Sequence, residues 1–380
     1  MTNILKCHPI LKTDFVRAEG STVYDSEGRG FLDCESGVWC TGLGHNHPRV
    51  TEVLHRQAGQ IMHLGFRYQS SVTEEAAAEL LDLAGLPGGK CVFLASGSEA
   101  VNLALHLARI ATRKTRFVCL DPTFLASYGE GADQSGSLWT HVDRDATGPD
   151  PIMDWDPVAA FVLEPGSGCG SIHFPSEGLV GRIADKVQGY GGLVVVDEVV
   201  TGFGRSGEWF GFNHFDIQPD IVAVGKGVGN GYPVSAVLVS REVAKAVEAA
   251  DLHYIQSHQN DPLGCAVCLE VIRTLREEGL IDRSRDMGRT LLDGLIGLQT
   301  RCPAIKEVRG KGLMVAVELH EQIVVGRIFD RMLDRGFLIG CSPTFNLVRF
   351  MPPLTISEQE IDRLLHALEE VLHEVSDAAG

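Results

Sequence analysis

Residues Ile221 to Pro233 read IVAVGKGVGNGYP. Ile221, Val222, Ala223 and Val224 form a run with no polar face, which suits a strand in the middle of a sheet covered on both sides. The run stops at Gly225-Lys226-Gly227. In open α/β sheets ligands bind beyond the carboxyl ends of strands, so Lys226 stands where a ligand would sit. Burial lowers the proton affinity of an amine, and the neutral amine is a nucleophile toward carbonyls. The flanking glycines leave room for a flat ring. Taken alone, the segment also fits a loop lysine that snorkels to solvent.

The neighbouring run Leu193 to Gly207, LVVVDEVVTGFGRSG, repeats the pattern with a carboxylate. Leu193 to Val196 is apolar throughout and ends at Asp197. A buried acid needs a partner that carries a proton, and a protonated pyridine nitrogen would be one. An amine at one strand end and a carboxylate at another meet the needs of pyridoxal phosphate: its aldehyde forms a Schiff base, and its ring nitrogen must stay protonated to act as electron sink. A carboxylate that merely caps a nearby turn is the plain alternative. Gly202 to Gly207 also fits the G-x-G-x-x-G dinucleotide fingerprint. The following Glu208 to Asn213 does not open an amphipathic helix, so a pyrophosphate would have no cradle there.

A third run, Cys91 to Arg109, reads CVFLASGSEAVNLALHLAR. A strand leads through Ser96-Gly97-Ser98-Glu99 into a helix with Val101, Ala104, Leu105 and Ala108 on one face. Strand, small polar turn and helix N-terminus make a ready anion site. Simple N-capping by Ser96 or Ser98 explains the same residues.

Around these runs the chain has 380 residues, enough for two domains. Hydrophobic residues make up 44% and charged residues 22%, the balance of an ordinary globular protein. The 33 basic and 50 acidic residues leave a net charge of −17, which argues against nucleic acid and anionic membrane surfaces as partners. Lys6, Lys12 and Asp14 interrupt any apolar run at the start, so no signal peptide is expected. No apolar stretch is long enough to span a membrane. Ten scattered cysteines in so large a chain read as reduced thiols of a cytoplasmic protein. Cys265-x-x-Cys268 lies in an apolar helical stretch and reads as core. His45 and His47, in Gly44 to Pro48, lack a third ligand at a known spacing, so no metal is expected.

From Ser70 to Ser240 helical and strand patterns alternate, which predicts an α/β fold with a mostly parallel central sheet flanked by helices. Val23 to Cys34 alternates like a hairpin turning at Asp25 to Gly28. Ser357-x-x-Glu360 is a capping box that opens a helix carrying Ile361, Leu364, Leu365, Leu368 and Leu372. The expected division is a large domain over residues 46–275 and a smaller α+β domain over 276–380, against which 1–45 packs.

SGSEAVNLALHLAR, VVVDEVVTGFGRSGEWFGF and PDIVAVGKGVGNGYPVSAVLVS occur in this order. With SGVWCTGLGHNHPRV, VRGKGLMVAVEL and VRFMPPLTISEQEID, they resemble the class III aminotransferases, pyridoxal-phosphate enzymes of fold type I. The resemblance covers most of the chain. It implies that Lys226 forms the Schiff base, Asp197 pairs with the pyridine nitrogen, Gly97 and Ser98 hold the phosphate, and Val199 packs on one ring face. Phe124 falls where the family has an aromatic residue before His-Gly, and would stack on the other face, although Leu125 and Ala126 replace the His and Gly. Ser257 falls where members place a threonine that reaches the partner subunit's phosphate, which implies a homodimer. Arg349 falls where members hold a substrate carboxylate, and Trp39 either lines the pocket or belongs to the core.

Two positions depart from members of the ornithine and acetylornithine type. Their glutamine three residues after the aspartate is Val200 here. Their Glu-Pro-x-Gln-Gly-Glu is Glu164-Pro165-Gly166-Ser167-Gly168-Cys169, so the switch glutamate beside the arginine is a thiol. The implied activity is ping-pong transamination between an amino donor and a keto acceptor. An epimerase or aminomutase would use the same framework, and a cofactor-free scaffold could keep the fold.

Overall fold

The computed structural model describes residues 3–5, 7–8, 11–147, 154–166 and 169–377. Ser167 and Gly168 of the Glu164 to Cys169 run, and Lys6 of the N-terminal reading, lie outside the described residues. A seven-stranded sheet forms the centre, in spatial order Lys90–Leu94, Ser235–Val239, Ile221–Val224, Leu193–Asp197, Val158–Leu163, Arg116–Asp121 and Trp139–Asp143. Only Ser235–Val239 runs antiparallel to its neighbours.

The unbroken apolar runs follow from cover on both faces. Val195, Ala223 and Val237 pack with Val101, Ala104 and Leu105 of the helix Gly97–Thr112. Val194, Val196, Val222 and Val224 join the other core cluster, with Leu179, Val180 and Ile183 of the helix Glu177–Gly189. Successive residues of a strand point to opposite faces, so a strand between two helical layers needs an apolar residue at every position.

The C-terminal part holds an antiparallel four-stranded sheet, in order Ile305–Lys311, Met314–Leu319, Leu347–Phe350, Gly340–Ser342. The helix Glu358–Asp377 opens with the expected box: Ser357 N donates to Glu360 Oε2 at 2.8 Å and Glu360 N to Ser357 Oγ at 3.3 Å. Ile361, Leu364, Leu368 and Leu372 are buried along it. Near the N-terminus, Thr22–Asp25 and Gly30–Asp33 pair as a hairpin whose turn is held by Asp25 Oδ1, which accepts from Glu27 N and Arg29 N. Gly30–Asp33 also pairs in parallel with Phe337–Leu338. Among the described residues no helix is long and apolar enough to cross a membrane.

One buried arginine joins three distant segments at the edge of the site. Arg205 is 3% exposed and donates to the carbonyls of Leu313 and Pro352 and to Ser36 Oγ. Burial pulls its pKa down to about 10, opposed by Glu35 and Asp33. Replacing Arg205 with Met removes the donors and leaves those carbonyls buried without partners. The expected loss is roughly 3 kcal/mol of unfolding free energy, read by urea denaturation.

Candidate active site

Three strand ends and one loop define the site. Asp197 pairs with Ala223, Val224 with Ala236, and Leu94 with Ser235. The residues that follow Leu94 and Val224 therefore emerge at the same edge of the sheet as Asp197. Lys226 lies two residues beyond its strand, at φ +45°, and opens the short 3-10 turn Lys226–Gly229.

Glycine is required where these segments cross. A Cβ on Gly97 would lie 2.6 Å from Val199 Cγ1, and a Cβ on Gly225 would lie 3.3 Å from both Gly97 Cα and Val199 Cγ1. Gly97, Gly225 and Val199 thus pack closely against one another.

The helix Gly97–Thr112 is capped by Ser96. Its Oγ accepts from Glu99 N at 3.3 Å, and Glu99 Oε2 accepts from Ser96 N at 2.9 Å. The backbone N–H groups of Gly97 and Ser98 find no protein acceptor among the described residues. Two unclaimed donors at the positive end of a helix dipole suit a phosphate. Capping by Ser96 therefore leaves the N–H groups of Gly97 and Ser98 free to meet an anion. Ser98 Oγ also accepts from Ser127 N at 2.9 Å, which ties the Thr123–Ser127 segment to the helix start.

Asp197 is 4% exposed, and its one hydrogen bond is from Val199 N to Oδ1 at 2.9 Å. Among the described residues no cation lies within ion-pair distance of it. Burial, with the charge of Glu164 adding to it, holds its carboxyl well above the usual carboxylate range, while Lys226 pulls the other way. The amine of Lys226 is pushed down by burial, against the nearby charges of Asp197, Cys40 and Glu164. A buried acid in want of a proton-bearing partner thus lies near an amine leaning toward its neutral, nucleophilic form.

Trp39 packs in the core with two cations beside its ring. It is 9% exposed and packs with Val200, Ile172, Met314 and Met351. Lys226 Nζ and Arg349 Cζ each lie 4.8 Å from its ring centroid. The turn that presents it is left-handed: Ser36, Gly37, Val38 and Trp39 have φ of 49, 56, 58 and 71°. Left-handed helical geometry costs about 1–2 kcal/mol for each non-glycine residue. Asp33 offsets the strain by accepting from Glu35 N at 2.9 Å and Gly37 N at 2.7 Å, and His45 Nε2 braces Asp33 at 2.8 Å. His47 faces Glu278 instead, at 3.6 Å, so the two histidines serve separate partners.

Arg349 lies on the strand Leu347–Phe350, and its Nε donates to Glu35 Oε1 at 3.2 Å. Sequence reasoning missed Glu35, because 314 residues separate the pair. It also missed Glu164, whose Oε2 accepts from Thr123 Oγ1 at 2.9 Å and Phe124 N at 3.2 Å, and whose buried Oε1 has no partner among the described residues. The placement of Glu164 at the end of the strand Val158–Leu163 was the available signal.

Phe124 is 47% exposed on the segment tied to Glu164 and Ser98. Ser257 is exposed, on a loop whose Gln256 Nε2 donates to Glu99 Oε1 at 2.6 Å. Gly202 to Gly207 forms turns, and the element that follows is the short 3-10 turn Gly211–His214, not an amphipathic α-helix. Cys265 and Cys268 are buried free thiols on the helix Pro262–Glu277.

A sequence profile of the class III aminotransferases matches residues 6–125 and 153–372. An acetylornithine aminotransferase of Methanosarcina mazei is 32% identical over 371 residues, which cover 93% of this chain and 90% of that protein. A [LysW]-aminoadipate semialdehyde transaminase of Deinococcus radiodurans is 32% identical over 382 residues, 95% of this chain and 86% of that protein. The solved ornithine aminotransferase of Toxoplasma gondii superposes with a TM-score of 0.89 at 25% identity, covering 98% of this chain and 93% of that one.

The cost of burying Asp197 can be measured on the cofactor-free protein. Its folded pKa is raised, so the penalty appears as pH rises above the unfolded value of about 3.9. Asp197→Asn removes it, and the cofactor-free variant is expected to be more stable than the parent at pH 8 by roughly 1–3 kcal/mol. The difference should vanish near pH 3, as read by thermal unfolding across pH.

Proposed function

This chain belongs to the class III aminotransferase family, whose members work with pyridoxal phosphate, and on that premise we propose a division of labour among its own residues. The fit to the cofactor rests on what the site lacks. Among the described residues Asp197 is buried with no cation within ion-pair distance, the Gly97 and Ser98 N–H groups have no acceptor, and glycine at 97 and 225 lets their segments close against Val199. When bound, the cofactor supplies an aldehyde that condenses with amines and a ring that accepts an electron pair.

Lys226 Nζ anchors the cofactor covalently between turnovers. Once free, it would take a proton from the substrate carbon and later give one back, acting as base and then acid. Burial lowers its proton affinity, which favours the neutral amine. Asp197 keeps a proton on the ring nitrogen, the role for which a buried, partnerless carboxylate is suited. Gly97 and Ser98 orient the phosphate. Val199 and Phe124 bound the ring on its two faces.

Arg349 takes a substrate carboxylate with the fork of its guanidinium, and Trp39 lines the pocket between Arg349 and Lys226. The names of the two relatives, for acetylornithine and for an aminoadipate semialdehyde, point to partners that carry a carboxylate, in keeping with Arg349. The reaction is a ping-pong exchange: an amino donor leaves its nitrogen, departs as a carbonyl compound, and a keto acid or aldehyde collects the nitrogen.

We propose further that two copies form a homodimer in which the exposed Ser257 of each serves the neighbouring site. Residues 1–45 and 276–380 act as the smaller unit around the larger 46–275, and the enzyme works in the cytoplasm. The single observation that carries the reading is Asp197, buried with no cation within ion-pair distance among the described residues, near an amine whose charge burial disfavours.

Borohydride reduction of the holoenzyme followed by peptide mass spectrometry should place the cofactor mass on Lys226, and Lys226→Ala should abolish turnover. A label on another residue, or normal turnover by the variant, overturns the assignment. Arg349→Gln should raise KM for a carboxylate-bearing partner by about a hundred-fold, read by steady-state kinetics over a series of keto acids.

A further inference from the structure

Arg349 already holds a carboxylate. Its Nε donates to Glu35 Oε1 at 3.2 Å, and the two side chains are only 15% and 13% exposed. The contact is a built one. On the strand next to Arg349, a Cβ on Gly340 would lie 2.0 Å from Glu35 Oε1 and 2.5 Å from Arg349 Nε. On the opposite loop, a Cβ on Gly170 would lie 2.1 Å from Arg349 Nη1. Two glycines leave the room that the pair fills.

Glu35 is placed there by the strained turn. Its N–H is held by Asp33 and its carbonyl accepts from Trp39 N at 2.7 Å, so the residue is fixed at the mouth of the left-handed segment that carries Trp39. Trp39 supports the guanidinium from its ring face at 4.8 Å. Burial raises the proton affinity of Glu35, and Arg349 opposes that shift. Arg205 also feels the Glu35 charge more than any other acid, so the carboxylate keeps a second cation nearby when Arg349 is engaged elsewhere.

The hold on Arg349 is weak in form. One oxygen meets one nitrogen at 3.2 Å, whereas charge-assisted pairs with arginine are commonly bidentate and near 2.7–2.9 Å. Nη1 and Nη2 of Arg349 have no acceptor among the described residues. An incoming carboxylate with two free oxygens makes the stronger contact. Resting on the assignment of Arg349 as the substrate arginine, we infer that Glu35 competes with the substrate carboxylate for Arg349. It neutralises the guanidinium when the partner in the site bears no carboxylate at that position, and yields when the partner does. The chemical consequence is a single pocket serving two classes in the two half-reactions: a 2-oxo acid or 2-amino acid that displaces Glu35, and an amine or aldehyde that leaves the pair intact. The carboxylate comes from the N-terminal segment, while the position where similar enzymes carry a switch glutamate is Cys169.

The test uses the holoenzyme and glutarate, a dicarboxylate that cannot be turned over, with binding read by isothermal titration calorimetry. Glu35→Gln should bind glutarate about ten-fold tighter than the parent, the scale of one charge-assisted hydrogen bond. Arg349→Gln should bind it at least ten-fold more weakly. In single-turnover experiments, E35Q should lower the half-saturating pyruvate concentration about ten-fold and raise that for butylamine. Unchanged or weakened glutarate binding by E35Q would show Glu35 to be a brace for Arg349, or unconnected with it, and would overturn the proposal. If near-ultraviolet circular dichroism shows E35Q misfolded, Glu35→Asp, which withdraws the carboxylate by one methylene, must shift glutarate binding in the same direction for the proposal to stand. A failure of the aminotransfer assignment itself would appear separately, as a missing covalent label at Lys226 with the glutarate titrations unaffected.

Discussion

Lys226 and Asp197 meet at the carboxyl edge of one sheet, and burial pushes their proton affinities in opposite directions, the amine down and the carboxyl up. Their mutual attraction works against both shifts, yet desolvation is the larger influence on each. A site of this kind is poorly stabilised on its own. It gains from a ligand that brings a proton for the acid and a carbonyl for the amine. The rest of the molecule serves to keep these groups dry and in register: apolar strands between two helical layers, and a Gly97–Gly225–Val199 contact with no space for another side chain.

Close packing recurs around Trp39. Lys226 and Arg349 each stack a cation on its ring, at 4.8 Å from the centroid. Cation–π contacts of this kind contribute about 0.5–2 kcal/mol each. That is small beside the strain of a left-handed turn with three non-glycine residues, so the stack does not hold the turn by itself. Asp33, His45 and the Ser36 Oγ bond to Met351 O at 2.6 Å supply the difference. Strained backbone that is over-determined by its neighbours is characteristic of functional sites. Here the strain sets Glu35 and Trp39 facing the same arginine.

What could be read from the sequence was what local chemistry dictates. Lys226 and Asp197 were legible because each ends a strand whose apolar run is contiguous, and the rule that ligands gather at strand ends then brings them together. Gly97 and Ser98 were legible from the step of strand, polar turn and helix. The resemblance added Arg349 and Val199, which have no local signature. Glu35 was not legible, since a single glutamate in Asp33-Cys34-Glu35-Ser36 reads as solvated surface. Only the antiparallel pairing of Leu347–Phe350 with Gly340–Ser342, together with the parallel pairing of Gly30–Asp33 with Phe337–Leu338, brings it against Arg349. Trp39 stood between two readings because the sequence cannot show that a 9% exposed ring has its faces toward cations.

The location of the acidic partner of Arg349 bears on how such a pocket can be altered. A carboxylate on the loop that follows a central strand moves only with that loop. Glu35 sits between two pieces of secondary structure that come from opposite ends of the chain, and its neighbours include Arg205, which bridges Leu313, Pro352 and Ser36. Cys34 and Ser36 on either side of Glu35 are hydrogen-bonded to Leu338 and Met351, so Glu35 travels with the C-terminal strands that carry Arg349, whereas Asp197 and Lys226 are both fixed to the central sheet. On the proposed roles, chemistry and partner selection rest on separate parts of the fold. The first depends on the dryness of strand ends, the second on the fit between an N-terminal turn and a C-terminal strand.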